Sequence, residues 1–206
     1  MLLYNQMETN ALTYKRNIIV LGAGHSGTRY LVSILQSAGW NAPDVDEHGE
    51  HPNIVTLNNY AIDNDLDIRS AKDNLASFPQ PYVLKDPRFN YTLDKWQSLT
   101  QDHLVVLIQR RREDIYHSHR RRNETINYDD IIVSQTCALM QYQMHQGPKC
   151  IMNYESICHN ASRDMAIKMI KALSTASQPS GNLSDNRVTN NLLVTDLDNT
   201  DIGDMF

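Results

Sequence analysis

Seven residues, Gly22-Ala23-Gly24-His25-Ser26-Gly27-Thr28, have the composition of an anion cradle. Glycines let a backbone approach its ligand closely, and serine and threonine hydroxyls add donors. The run follows a short apolar stretch, Asn17-Ile18-Ile19-Val20-Leu21, that reads as a buried parallel strand. After it, Tyr30, Leu31, Ile34, Leu35 and Ala38 fall on one helical face, which Gly39 ends. A loop that opens a helix points several backbone N–H groups at one spot, and the helix dipole favours negative charge there. The spacing is G-x-x-x-x-G-T, a phosphate loop without the lysine that a nucleotide triphosphatase carries between Gly27 and Thr28.

A second chemical segment follows His103-Leu104-Val105-Val106-Leu107-Ile108, the clearest buried strand of the chain. Six arginines (110, 111, 112, 120, 121, 122) lie within 13 residues. A planar guanidinium grips phosphate bidentately, and several together hold a doubly charged one. Arg110 stands at the carboxyl end of the strand, where open α/β sheets take their ligands. Arg120 to Arg122 read equally well as a solvated helix face. No aspartate ends the strand, so no magnesium ligand of the nucleotide-triphosphatase type is visible.

These residues need a frame. Pro81-Tyr82-Val83-Leu84-Lys85 reads as another strand, and Cys150-Ile151-Met152 as a weak one. A helix begins at Pro52, residues 88–100 are helical, and a basic helix covers about 112–122. Asp129 reads as the N-cap of a long helix through His145, and Ala166, Met169, Ile170 and Leu173 mark a last one. Strands alternating with helices imply an α/β domain with a parallel sheet.

The chain has 206 residues and a formal net charge of −5, with 41% hydrophobic and 21% charged residues. That suits one globular domain with its own core, over 1–173. Residues 174–206 hold five Asp against one Arg, a net of −4, and read as an acidic polar tail in which Leu192-Leu193-Val194 could form a short strand. Cys137, Cys150 and Cys158 form no CxxC pair, which excludes a cysteine-rich zinc module and suits a reducing compartment. No run approaches the roughly 20 apolar residues of a membrane span. No secretory leader is legible, so the expected setting is soluble and cytoplasmic.

Taken together, the segments resemble the sulfotransferase family. His25-Ser26-Gly27-Thr28 is similar to its 5′-phosphosulfate loop, [KR]-S-G-T. Arg110, Asp114 and Ser118 resemble its 3′-phosphate site, R-x-x-x-D-x-x-x-S. Leu84-Lys85-Asp86-Pro87-Arg88 is similar to the K-D-P-R segment of bacterial and Golgi-type members. Glu50-His51-Pro52-Asn53-Ile54-Val55-Thr56-Leu57-Asn58 resembles E-x-x-x-[IFV]-V-x-L-N, and Asn153-Tyr154-Glu155 the late Y-E-[DS] turn. The resemblance covers about residues 17–173, in the family's order.

The resemblance implies a three-layer α/β/α fold with a parallel sheet of about five strands and a phosphate loop after the first, and transfer of a sulfuryl group from 3′-phosphoadenosine 5′-phosphosulfate to a hydroxyl or amine. The product nucleotide is adenosine 3′,5′-bisphosphate, and no metal is expected. Gly24, His25, Ser26, Gly27 and Thr28 would hold the 5′-phosphosulfate, and Arg110 and Ser118 the 3′-phosphate. Glu50, Lys85 and His25 are the expected catalytic residues. Glu50 would be the general base and Lys85 would stabilise charge at the leaving oxygen. Glu47, His48, His51 and Asp86 are rival bases. His48 and His51 with Glu47 or Glu50 make a poor metal set on an irregular loop.

The chain departs from the family at His25, where a Lys or Arg is usual, with Arg29 the expected compensating cation. It also lacks the K-x-H pair and the late R-K-G loop. The acceptor class stays open among carbohydrate, peptide, lipid and small metabolite, as does the oligomeric state. A phosphate-loop kinase, or a degenerate nucleotide-binding protein without turnover, is the alternative. Nucleic-acid binding is the weakest reading, since Tyr116 is the lone aromatic among the arginines.

Overall fold

The computed structural model describes residues 13–177. β1 (Thr13–Lys15) leads into β2 (Ile18–Leu21), and the glycine loop then opens α1 (Thr28–Ser37). α2 (Pro52–Asp63) and α3 (Ile68–Ser77) precede β3 (Val83–Lys85). α4 (Phe89–Thr92), a 3-10 turn (Leu93–Trp96) and α5 (Gln97–Thr100) lead to β4 (Leu104–Gln109). α6 (Arg112–Arg121), α7 (Tyr128–Met144), β5 (Lys149–Asn153), α8 (Tyr154–Cys158), α9 (Asn160–Ser174) and β6 (Thr175–Ser177) complete it.

The continuous apolar run of β2 is what a strand covered on both faces requires. Ile18, Ile19, Val20 and Leu21 are all sealed from solvent. Ile19 and Leu21 point into one core with Ile54, Phe89, Trp96, Leu107 and Ala138, beneath α2, α4 and α7. Ile18 and Val20 point into the other, with Leu31, Leu35, Val106, Met152 and Ile170, beneath α1, α8 and α9. The period of two along the strand thus makes two cores, with helices on both faces.

The sheet is parallel, in the order β3-β2-β4-β5. The chain leaves β2 for β3 on one side and returns to β4 on the other. The order reverses at β2, and such a reversal opens a crevice at the strands' carboxyl ends. Register sets that rim: Val20 faces Lys85, Leu21 faces Leu107, and Gln109 faces Asn153.

Among the described residues four strands form this sheet, against the expected five or so. β1 and β6 make a separate antiparallel pair, and Leu192-Leu193-Val194, with most of the acidic tail, lies outside the described residues. The long helix starts at Tyr128 behind Asn127, whose N–H donates to Asp130 Oδ2 at 3.4 Å, so Asp129 is not its N-cap. Asp129 and Asp130 lie in its first turn, where the helix dipole favours carboxylates. The helical stretch 88–100 is broken into three short turns. α3 was not anticipated because only Ala71 and Leu75 are buried on it, too sparse a stripe to read. Among the described residues no helix is long and apolar enough to cross a membrane.

Candidate functional site

The glycine loop spans the end of β2 and the start of α1, as its residue types imply. Gly27 has φ 97°, a left-handed conformation that disfavours a side chain. A Cβ there would also collide with the Tyr154 ring. His25 takes φ 61°, which is uncommon for a residue with a side chain. Ile115 and Ile131 pack with Ala23 in a small apolar cluster under the loop.

Asn90, which the sequence reading passed over, pins the loop's first residue. It is fully buried. Gly22 N–H donates to Asn90 Oδ1 at 3.2 Å, and Asn90 Nδ2 donates to the Gly22 carbonyl at 3.0 Å. A side-chain amide here does the work of a neighbouring strand, so no short motif announces it.

Arg110 and Ser118 both reach one loop residue. Arg110 Nη1 donates to the His25 carbonyl at 2.9 Å, and Ser118 Oγ lies 3.1 Å from His25 Nδ1. The Arg110 guanidinium lies 4.3 Å from the centre of the Tyr154 ring, a cation–π contact. Gln135 Nε2 donates to the Arg110 carbonyl at 2.8 Å, which ties α7 to the end of β4. Arg120, Arg121 and Arg122 are exposed, the solvated face that the sequence also allowed.

The His25 imidazole is turned to α6 and the connection beyond it. It stacks on His119 at 3.7 Å between ring centres, with planes 25° apart. Its Nε2 lies 3.0 Å from Glu124 Oε2, and His119 Nδ1 lies 2.6 Å from the same oxygen. Burial, then the neighbouring His119, lowers the His25 pKa below the ordinary imidazole value. Burial opposes ionisation of Glu124, but the His119 hydrogen bond and both imidazoles hold its carboxyl below the usual range. His25, His119 and Glu124 are close enough together to suggest a metal centre. The rings argue otherwise. His25 Nε2 and His119 Nδ1 converge on one oxygen of Glu124, at 3.0 and 2.6 Å, so a carboxylate oxygen already takes the point at which the two rings meet.

Glu50 and Lys85 come together. Lys85 Nζ donates to Glu50 Oε1 at 2.6 Å and to the His48 carbonyl at 3.2 Å. Arg88 Nη1 donates to Glu50 Oε2 at 3.2 Å and to Asp86 Oδ1 at 3.0 Å. Both Glu50 oxygens therefore have cationic partners. The rival bases are otherwise employed or exposed. Asp86 is buried and also accepts from Asn58 Nδ2 at 2.9 Å. His51 caps α2 by accepting the Asn53 N–H, while Glu47 and His48 are exposed. Arg29 is exposed, and its Cγ would lie 3.9 Å from a Cβ on Gly49, which brings its stem to the loop that carries Glu50.

Among the described residues, six buried side-chain atoms have no hydrogen-bond partner. Five of them ring this loop: Ser26 Oγ, Arg110 Nε, His119 Nε2 and both oxygens of Glu155, which approaches Arg110 Nε at 3.9 Å. Buried polar groups are nearly always paired, so such a cluster marks a place built for a polar ligand. A cavity of about 610 Å³ adjoins it, lined by Gly22, Ala23, Arg110, Arg112, Gln135 and Asn153 among others. That volume is within the range of small-molecule sites.

No protein-family model and no curated protein sequence matches the chain.

Proposed function

We propose that the protein is a sulfotransferase using 3′-phosphoadenosine 5′-phosphosulfate. The observation that carries the reading is the convergence of Arg110 and Ser118, the pair that resembles a 3′-phosphate site, on His25 of the loop that resembles a 5′-phosphosulfate site. The unpartnered Ser26 Oγ and Arg110 Nε fit a polyanion: one is a donor at the loop, the other a donor at the strand end.

The donor, when bound, supplies an activated sulfuryl group. The backbone N–H groups at the start of α1, with Ser26 and Thr28, hold its 5′ end. Arg110 and Ser118 take the 3′-phosphate. Glu50 accepts the proton that the acceptor hydroxyl or amine loses as its oxygen or nitrogen bonds to sulfur. Lys85, on the strand beside the loop, stabilises the oxygen left on phosphorus when the P–O–S bridge breaks. Because Lys85 and Arg88 hold Glu50, its position is fixed before the acceptor arrives.

Calorimetric titration with adenosine 3′,5′-bisphosphate, and with ATP plus Mg²⁺ alongside, tests the reading. Metal-independent binding of the bisphosphate is expected; preference for Mg-ATP overturns it in favour of a kinase. A second reading, nucleotide binding without turnover, is favoured by the engagement of both Glu50 oxygens. Sulfuryl transfer to any member of a broad acceptor panel eliminates it.

A further inference from the structure

The loop lacks the cation that its look-alikes carry at position 25, and the structure holds a chargeable pair in that place. His119 Nδ1 sits 2.6 Å from Glu124 Oε2. A carboxylate only accepts, so Nδ1 carries a proton, and Nε2 is the ring's other protonation position. That nitrogen is buried and unpartnered, and it lies 3.8 Å from where a Cβ on Gly24 would be. That second protonation position of His119 faces the glycine loop. His25, stacked against it, has Nδ1 at Ser118 and Nε2 at Glu124.

We propose that the His119–His25 pair is a proton-loaded cation for the loop: an anion seated there draws a proton onto His119 Nε2, in place of a permanent Lys or Arg charge. This rests on the reading of the loop as an anion site. The charged groups that face the pair are Glu124 and Arg122, beyond the end of α6, and Arg110, which bonds the His25 carbonyl. Glu124 favours the added proton, and the two arginines oppose it. The added charge acts through space across Gly24 and needs no contact with the ligand. His119 is thus a positioning and charge-supplying residue. Linkage is reciprocal: if the anion raises proton affinity, acid must raise anion affinity.

Inorganic sulfate is the probe, because it does not titrate where imidazole does, around pH 6 to 8. Calorimetry in two buffers of different ionisation enthalpy counts the protons taken up. The expected result is uptake approaching one proton, and sulfate affinity rising as pH falls, by up to about tenfold per unit for one linked proton. His119→Asn is expected to flatten the profile. His25→Lys is expected to bind sulfate with little pH dependence. A flat wild-type profile, or an unchanged profile in His119→Asn, overturns the proposal. If His119→Asn fails to fold, the wild-type proton count decides alone. Bisphosphate binding with a flat sulfate profile sinks only this proposal, whereas binding of neither ligand at pH 6 sinks the donor site as well.

Discussion

The carboxylate of Glu50 and the ammonium of Lys85 meet at 2.6 Å with little exposure, 12% and 6% of their side chains respectively. One is carried by the loop before α2 and the other by the last residue of β3. A buried pair of this kind is a weak source of stability when intact and a large liability when halved.

Lys85→Met is therefore expected to destabilise the protein by about 3–5 kcal/mol, measured by urea unfolding, because Glu50 is left with one cation. The double variant with Glu50→Gln should recover part of that loss. Recovery of nothing would mean that the two groups are not energetically coupled.

Glu50→Gln alone separates binding from chemistry. Its expected signature is a fall of roughly 10²–10⁴ in sulfuryl transfer, the usual worth of a general base. Affinity for adenosine 3′,5′-bisphosphate should stay unchanged. A matching loss of affinity would make Glu50 a structural anchor for Lys85 instead.

Arg110→Ala should weaken the bisphosphate by about 10–100-fold, on the scale of a lost charge-assisted hydrogen bond. Adenosine 5′-monophosphate, which has no 3′-phosphate, should lose less. Equal losses would remove the 3′-phosphate from Arg110's role.

Gly27→Ala puts a methyl into the Tyr154 ring at a backbone angle that alanine resists. About 2–4 kcal/mol of destabilisation is expected. Adding Tyr154→Ala should restore the part due to collision and leave the part due to φ. A fully stable Gly27→Ala would mean that neither the ring nor the backbone angle resists a side chain there.

Burial, with a smaller push from His145, lowers the His103 pKa from 6.5 to about 4. The ring sits 2.8 Å from the Tyr82 hydroxyl. The unfolded chain takes a proton at His103 near its ordinary value and the folded chain only near 4, so stability rises with pH across that window. Lowering pH from 7 to 5 should cost about 2 kcal/mol from this group. His103→Gln should make the thermal midpoint less sensitive to pH over that range, leaving a residue from His145, whose pKa burial also lowers.

How much was readable from the chain depended on how local the cause was. β2 and β4 are apolar runs covered on both faces, and such runs are visible without tertiary knowledge. The place of the glycine loop between a strand and a helix was legible, and Lys85, Glu50, Arg110 and Ser118 could be named as candidates because spacing within short segments carries them. Asn90, His119 and Glu124 were not, since each matters through a partner far along the chain or on another element. Asn90 acts 68 residues away on Gly22. His119 stands next to Ser118, yet only the stacking on His25 gives it meaning. The substitution at position 25 was visible; what surrounds it was a product of folding.

The Tyr154 ring over Gly27 also orders events in time. β2 has one hydrogen-bonded strand partner in the large sheet once β3 has emerged and its second only after β4, and the loop has no ring against Gly27 until Tyr154 has. On a chain being made from its first residue, the glycine motif appears early and matures late. A nascent chain ending before Lys149 carries every loop residue without the strand and ring that lock them in place. The loop's final surroundings are therefore set only after Tyr154 has been made.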